Sequence, residues 1–206
     1  MEKIGLLGGS FNPIHTGHLL LAESARWEYQ LDKVLFIPTG NNPFKRSNQE
    51  ISRQARMDMV ALAIASNPYF EASDIEINRE GKSYTIDTIN ALEAIYGDVE
   101  FYFITGADIM FEITRWREAE ALLRRVTFVT SCRPGYSHKK LDRRIAQLKA
   151  DYNTRILKLL SSEMDIASSN IRSRIKKGQS IKYLIPEAVE RYILDHRLYQ
   201  EEVPID

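Results

Sequence analysis

The sequence predicts an α/β fold, a doubly wound and mostly parallel sheet with a helical extension at its C-terminal end. Three observations carry that prediction. Strand-length apolar runs rich in β-branched and aromatic residues recur along the chain, segments of helical spacing separate them, and the runs are apolar throughout instead of alternating. Strand, helix, strand at this rhythm implies right-handed crossovers. Continuous apolarity, as in Val34-Leu35-Phe36-Ile37, fits strands covered on both faces.

Taken in order, strands are predicted at residues 4–7, 34–38, 70–77, 100–105, 126–131 and 156–160. Helical spacing is read at residues 18–29, with a start around Thr16, and at 52–65, 85–96, 115–123 and 141–150. After Leu160 the character changes to a polar stretch with Ser168-Ser169 and a basic amphipathic segment at 171–177. Gly178 then acts as a stop, and a terminal helix at 186–196 carries Pro186 in its first turn. The pattern is Rossmann-like, and one domain is expected over residues 1–206, its helical C-terminal part beginning near 165.

Composition sets the bounds. A chain of 206 residues, 44% hydrophobic, is long enough for a core without disulfide or metal staples. Its 28 basic and 28 acidic side chains cancel, and with a pI near 6.9 the chain lacks the basic surplus of a nucleic-acid binder. Any polyanion should therefore be held at a local site. Cys132 is the sole cysteine, which excludes an internal disulfide and a zinc cage and fits a reducing, cytoplasmic setting. No apolar run approaches the ~20 residues that span a bilayer, and residues 1–10 lack the apolar core of a targeting segment. Neither a membrane nor a nucleic acid is expected as a partner, and a homo-oligomer is compatible with the sequence.

The first strand-to-helix turn holds the densest signal. It reads Gly8-Gly9-Ser10-Phe11-Asn12-Pro13-Ile14-His15-Thr16-Gly17-His18. Ligands of open parallel sheets bind at the carboxyl ends of strands, where this turn belongs. The glycine pair lets a ligand approach the backbone, and a helix N-terminus attracts anions. Neither the G-x-G-x-x-G nor the G-x-x-x-x-G-K-[ST] pattern is present. His15 and His18, three residues apart, share a helix face and can donate to polyphosphate oxygens, with developing charge favouring their protonated forms. A pair of satisfied histidines is the bland alternative. A metal reading fails for want of further ligands, since the other histidines are His138 and His196, so no protein metal site is expected.

The eleven-residue run resembles the (H/T)xGH signature of the nucleotidylyltransferase superfamily and, in full, its bacterial nicotinate mononucleotide adenylyltransferase branch. Ile166-Ala167-Ser168-Ser169-Asn170-Ile171-Arg172 resembles the second superfamily motif, Ile-Ser-Ser-Thr-x-Ile-Arg, with Ala167 and Ser169 departing from it. Ser168 can cap the helix that follows, and Arg172 can face a phosphate. Three more stretches are similar to the nicotinate branch: Ser83-Tyr84-Thr85-Ile86-Asp87-Thr88, Gly106-Ala107-Asp108, and Trp116. Lys45, closing Asn41-Asn42-Pro43-Phe44-Lys45, resembles the end of a Pro-x-His-Lys loop in which Asn42 and Phe44 replace the proline and histidine. Arg133-Pro134-Gly135-Tyr136 is likewise family-like.

The resemblance implies adenylyl transfer from ATP to nicotinate mononucleotide, giving deamido-NAD and pyrophosphate. His15, His18, Lys45 and Arg172 would be catalytic. ATP would meet Gly8, Gly9, Ser10, Phe11, His15, His18, Gly106, Asp108, Ile166, Ser168, Ser169 and Arg172. The mononucleotide would meet Ser10, Lys45, Tyr84, Thr85, Trp116 and Arg133. Mg²⁺ is expected with ATP, held mainly by phosphates. Two alternatives stay open: a sister transferase acting on phosphopantetheine, nicotinamide mononucleotide or a cytidylyl acceptor, and a non-catalytic nucleotide-binding module.

Overall fold

The computed structural model describes residues 1–41, 51–131, 137–159 and 165–200. Among these residues, six parallel strands form one sheet: β1 (Glu2–Gly9), β2 (Lys33–Pro38), β3 (Phe70–Ala72), β4 (Val99–Gly106), β5 (Thr127–Ser131) and β6 (Arg155–Leu159). Their order is β3-β2-β1-β4-β5-β6, every neighbouring pair parallel. The chain winds outward from β1 in one direction and, after β4, in the other. The point of reversal between β1 and β4 opens a crevice at their carboxyl ends, where such sheets bind ligands.

Among the described residues, eight α-helices cover the sheet: α1 (Thr16–Tyr29), α2 (Arg53–Ile64), α3 (Thr85–Tyr96), α4 (Ala107–Glu112), α5 (Ala119–Arg125), α6 (His138–Tyr152), α7 (Ser168–Lys176) and α8 (Glu187–Asp195). Alternate strand residues feed opposite cores. Val34 and Phe36 join Leu7, Ala22, Met59, Ile171 and Val189 on the face of α1, α2, α7 and α8. Leu35 and Ile37 join Ile4, Leu6, Ile89, Met110, Leu122 and Leu141 on the face of α3 to α6. This two-sided burial is why the strands carry continuous apolar runs.

The predicted elements are present, with four corrections. The third strand ends at Ala72 instead of 77, because Ser73 donates to the Phe36 carbonyl and the chain then turns, Asn78 N–H reaching Asp74 O at 3.1 Å. The helix predicted at 115–123 is interrupted: a 3₁₀ turn at Ile113–Arg115 is followed by Glu118 in the left-handed region, φ 51°, before α5 begins. The short helix α4 was not expected. Ser168 does not cap α7 from outside; it is the first helical residue, Ala167 takes the cap position, and the Ser168 hydroxyl donates to Pro13 O at 2.9 Å. The predicted last residue of the sixth strand, Leu160, lies outside the described residues.

The C-terminal segment is fastened to the β1–α1 turn. Thr16 N–H donates to Leu184 O at 2.9 Å, and its hydroxyl to Tyr183 O at 3.3 Å. Tyr192 of α8 donates to Asp58 of α2. Ile181, Ile185, Val189 and Ile193 are buried in the same core as α1 and α2. Among the described residues, no helix is long and apolar enough to cross a membrane.

Candidate active site

A cleft of about 390 Å³ lies over the carboxyl ends of β1 and β4. One wall is the first turn, with Gly8, Gly9 and Ser10, and with His18 from the first turn of α1. The opposite wall is the start of α3, with Tyr84, Thr85 and Thr88, joined by Trp116 and Arg117. Gly106 and Asp108, at the β4–α4 junction, line the space between. Nine residues singled out from sequence thus face one cavity: Gly8, Gly9, Ser10, His18, Tyr84, Thr85, Gly106, Asp108 and Trp116.

The turn explains its own glycines. A Cβ on Gly9 would touch the Phe11 ring at 3.4 Å, whereas a Cβ on Gly8 would meet no protein atom within 4 Å. Protein packing does not require glycine at Gly8, so the open backbone there suits a ligand. Phe11 is buried and holds a positive φ of 46°, uncommon for a bulky residue, and its ring stands edge-on to His18 with centroids 5.0 Å apart.

The two histidines are not equivalent. His15 is 4% exposed, does not line the cleft, and stacks flat on His18 with centroids 3.6 Å apart. The shared helix face read from their spacing thus splits in depth: His18 lines the cleft, and His15 lies buried against it. The His15 backbone N–H donates to His18 Nδ1 at 3.2 Å. That bond places the neutral His18 proton on Nε2, leaving this ring an N–H donor without requiring the imidazolium form. The first-turn amides of α1 are partly used internally, Thr16 N–H by Leu184 and His18 N–H by His15 O. An anion at this wall would therefore meet the turn and the ring donor more than the helix end.

The second motif packs against the first instead of entering the cleft. Arg172 Nη1 donates to Asn12 O at 2.6 Å, and Ser168 to Pro13 O. Ile166 stands 3.7 Å from where a Cβ on Gly17 would lie, and Ser169 is exposed on α7. Lys45 and Arg133 lie outside the described residues, as do Asn42, Phe44 and Cys132.

Sequence reasoning missed four contributors. Arg56 of α2 is 1% exposed and donates through Nη1 to Ser10 O at 2.8 Å. Its signal was periodic, since Arg56, Met59, Val60 and Ala63 share the buried face of α2. Tyr199 donates to Asn12 Oδ1 at 2.7 Å, and burial holds its phenol well above the ordinary range, so the hydroxyl keeps its proton. Glu76 lines the cleft yet is buried, and it accepts from the Thr88 hydroxyl at 2.7 Å, with Ser83 and the Gly40 N–H also bonded to it. Burial raises its carboxyl pKa above the ordinary value despite those bonds and the Arg79 charge. Arg117 followed Trp116 without any signal of its own.

Chemically, this arrangement suits a nucleotide substrate with a phosphate end and an aromatic end. The His18 ring donor and open backbone suit the first, and Trp116, held edge-on by Phe103 at 6.0 Å, offers a stacking face for the second. No group of three or more His, Cys, Asp or Glu side chains that could hold a metal occurs among the described residues. Two carboxylates among these residues line the cleft, Asp108 and the buried Glu76, which is already bonded to Thr88.

Comparison with known proteins bears on family and fold. The cytidylyltransferase-like family model matches residues 6–174. The chain is 44% identical over 201 residues to a protein of Thermoanaerobacter sp. (strain X514) named probable nicotinate-nucleotide adenylyltransferase, covering 97% of this chain and 95% of that one. It is 45% identical over 199 residues to a protein of the same name from Moorella thermoacetica, covering 96% and 92%. In fold it is similar to the Plasmodium falciparum nicotinic acid mononucleotide adenylyltransferase solved with NaAD, with a TM-score of 0.78, 19% identity, and coverage of 97% and 98%. The chain belongs to the cytidylyltransferase-like family and, within it, to the nucleotidyltransferases whose curated members carry the name nicotinate-nucleotide adenylyltransferase.

Proposed function

We propose that this enzyme transfers the adenylyl group of ATP to nicotinate mononucleotide, giving deamido-NAD and pyrophosphate for NAD biosynthesis. The observation that carries the reading is a single cleft with both required walls: Gly8, Gly9, Ser10 and His18 on one side, Tyr84, Thr85 and Trp116 on the other. The relatives' names support the same substrate pair.

The chemistry needs no enzyme nucleophile. A 5′-phosphate oxygen of the mononucleotide attacks the α-phosphorus of ATP in line. As that P–O bond forms, the bond from the α-phosphorus to the bridging oxygen breaks, and pyrophosphate leaves with the electron pair. Rate then comes from positioning and charge stabilisation. His18 Nε2–H supplies a preorganised donor at the phosphate wall, and the turn offers backbone to the triphosphate. Arg172 acts on the polyphosphate and, through Asn12 O, on the turn that receives it.

Mg²⁺ neutralises triphosphate charge when bound. With Glu76 bonded to Thr88, Asp108 is the cleft carboxylate left for an ion carried mainly by phosphate oxygens and water. Lys45 and Arg133 complete the proposed contacts to the triphosphate and the mononucleotide.

The test is pyrophosphate release with ATP and Mg²⁺ across a panel of mononucleotides, with the dinucleotide identified by mass. Nicotinate mononucleotide is expected to give the highest kcat/KM. A preference for phosphopantetheine, or for a cytidylyl reaction, would replace the substrate assignment, and ATP binding without turnover would favour the non-catalytic module.

A further inference from the structure

The cleft has a second electropositive feature beyond the phosphate turn. Among the described residues, Arg117 is the only permanently charged cation that lines it. It follows Trp116 between the 3₁₀ turn and α5, and its guanidinium carbon stands 4.9 Å from the centre of the Tyr84 ring. Tyr84 is the cap residue of α3, so the cation sits beside the helix end that carries partial positive charge. Two electropositive features therefore converge beside the stacking face of Trp116.

Its present partners hold it loosely. Asp87 and Glu118 lie 3.7 Å away, longer than the 2.7–2.9 Å of a charge-assisted hydrogen bond, and the Arg117 side chain is 52% exposed. Exposed pairs of this kind contribute little and are easily exchanged. The cleft's acidic residues do not take the guanidinium: Glu76 is occupied with Thr88, Ser83 and Gly40, and Asp108 stands at the β4–α4 junction.

We infer that Arg117 is a specificity-determining residue, whose guanidinium over the Tyr84 ring selects an acceptor bearing an aromatic-ring carboxylate over one bearing the neutral carboxamide. This rests on the proposed transfer to a pyridine mononucleotide. A carboxylate offers two acceptor oxygens and a full charge to the guanidinium fork. A carboxamide offers one acceptor and turns an N–H donor toward a group that only donates. Backbone amides at the α3 start also only donate and favour the acid in the same sense, and the guanidinium adds the fixed charge that they lack.

The experiment compares kcat/KM for nicotinate and nicotinamide mononucleotides at saturating ATP, in the parent, Arg117→Gln and Arg117→Lys. Arg117→Gln is expected to lower the value for the acid roughly ten- to a hundredfold, through KM, the loss of one charged hydrogen bond. The amide should be little affected, Arg117→Lys should keep most of the preference, and added salt should shrink the acid-to-amide ratio of the parent but not of Arg117→Gln. An equal fall for both acceptors, or an unchanged acid preference in Arg117→Gln, overturns the role of Arg117 alone. A parent that turns over neither pyridine mononucleotide overturns the function reading and this inference with it.

Discussion

Arg172 donates to the carbonyl oxygen of Asn12 at 2.6 Å across 160 residues of sequence, so helix α7 grips the turn that follows β1. The same turn is held by three other side chains. Arg56 takes the Ser10 carbonyl, Ser168 the Pro13 carbonyl, and Tyr199 the Asn12 side chain. The turn that would meet the triphosphate is thus fixed by side chains from α2, α7 and the C-terminal segment.

Removing this grip should weaken ATP before it weakens the mononucleotide. A charged hydrogen bond is worth about 1.5–3 kcal/mol, so Arg172→Ala should loosen ATP roughly ten- to a hundredfold. Tyr199→Phe deletes a neutral bond worth about 1 kcal/mol and should cost ATP about fivefold. Calorimetric titration with ATP reads both, and unaltered affinity in the two variants would refute the coupling.

Much of this architecture was legible because it is local. The strands announce themselves by continuous apolarity, and Gly8 to His18 is one contiguous run. What escaped the sequence is tertiary. Glu76 was placed in an extended third strand, yet its burial depends on Gly40, whose missing side chain lets the Glu76 carbonyl approach. Tyr199 becomes informative only when the C-terminal segment folds back onto Asn12. Arg56 was readable from its face of α2, where a basic residue occupies a core position, but a lone arginine is easily taken for a solvated one.

The stacked histidines should separate in their response. His18→Ala removes a cleft donor and is expected to lower turnover by roughly 10²–10⁴, with melting temperature nearly unchanged. His15 is buried behind it, so His15→Ala should also destabilise, by about 0.5–3 kcal/mol. Turnover and thermal melts are measured on both; near-parental turnover of His18→Ala would remove it from the reaction.

Two glycines provide a paired test of ligand space against protein space. A Cβ on Gly40 would lie 2.2 Å from the Glu76 carbonyl oxygen and 2.8 Å from Ser83 Oγ, so Gly40→Ala must displace backbone and should cost about 1–3 kcal/mol. A Cβ on Gly8 meets no protein atom within 4 Å, so Gly8→Ala should melt like the parent while losing affinity for ATP. Unchanged ATP affinity in Gly8→Ala would mean that no ligand approaches that backbone.

Glu76 should make stability depend on pH in a direction opposite to most carboxylates. Burial outweighs the bonds from Thr88, Ser83 and the Gly40 N–H and the charge of Arg79, so its folded pKa lies above the ordinary 4.5. Between those two values the folded chain keeps a proton that the unfolded chain has lost. Its contribution is therefore fully present below about pH 4.5 and is lost as pH rises through the folded pKa. Glu76→Gln has nearly the same shape and does not titrate. The variant loses an acceptor at every pH, a constant offset, but it escapes the cost of burying charge at neutral pH. The stability of Glu76→Gln relative to the parent should accordingly improve from pH 4 to pH 7. Urea midpoints at four pH values across that range measure it, and a flat or falling difference would show that the carboxylate is not penalised by its burial.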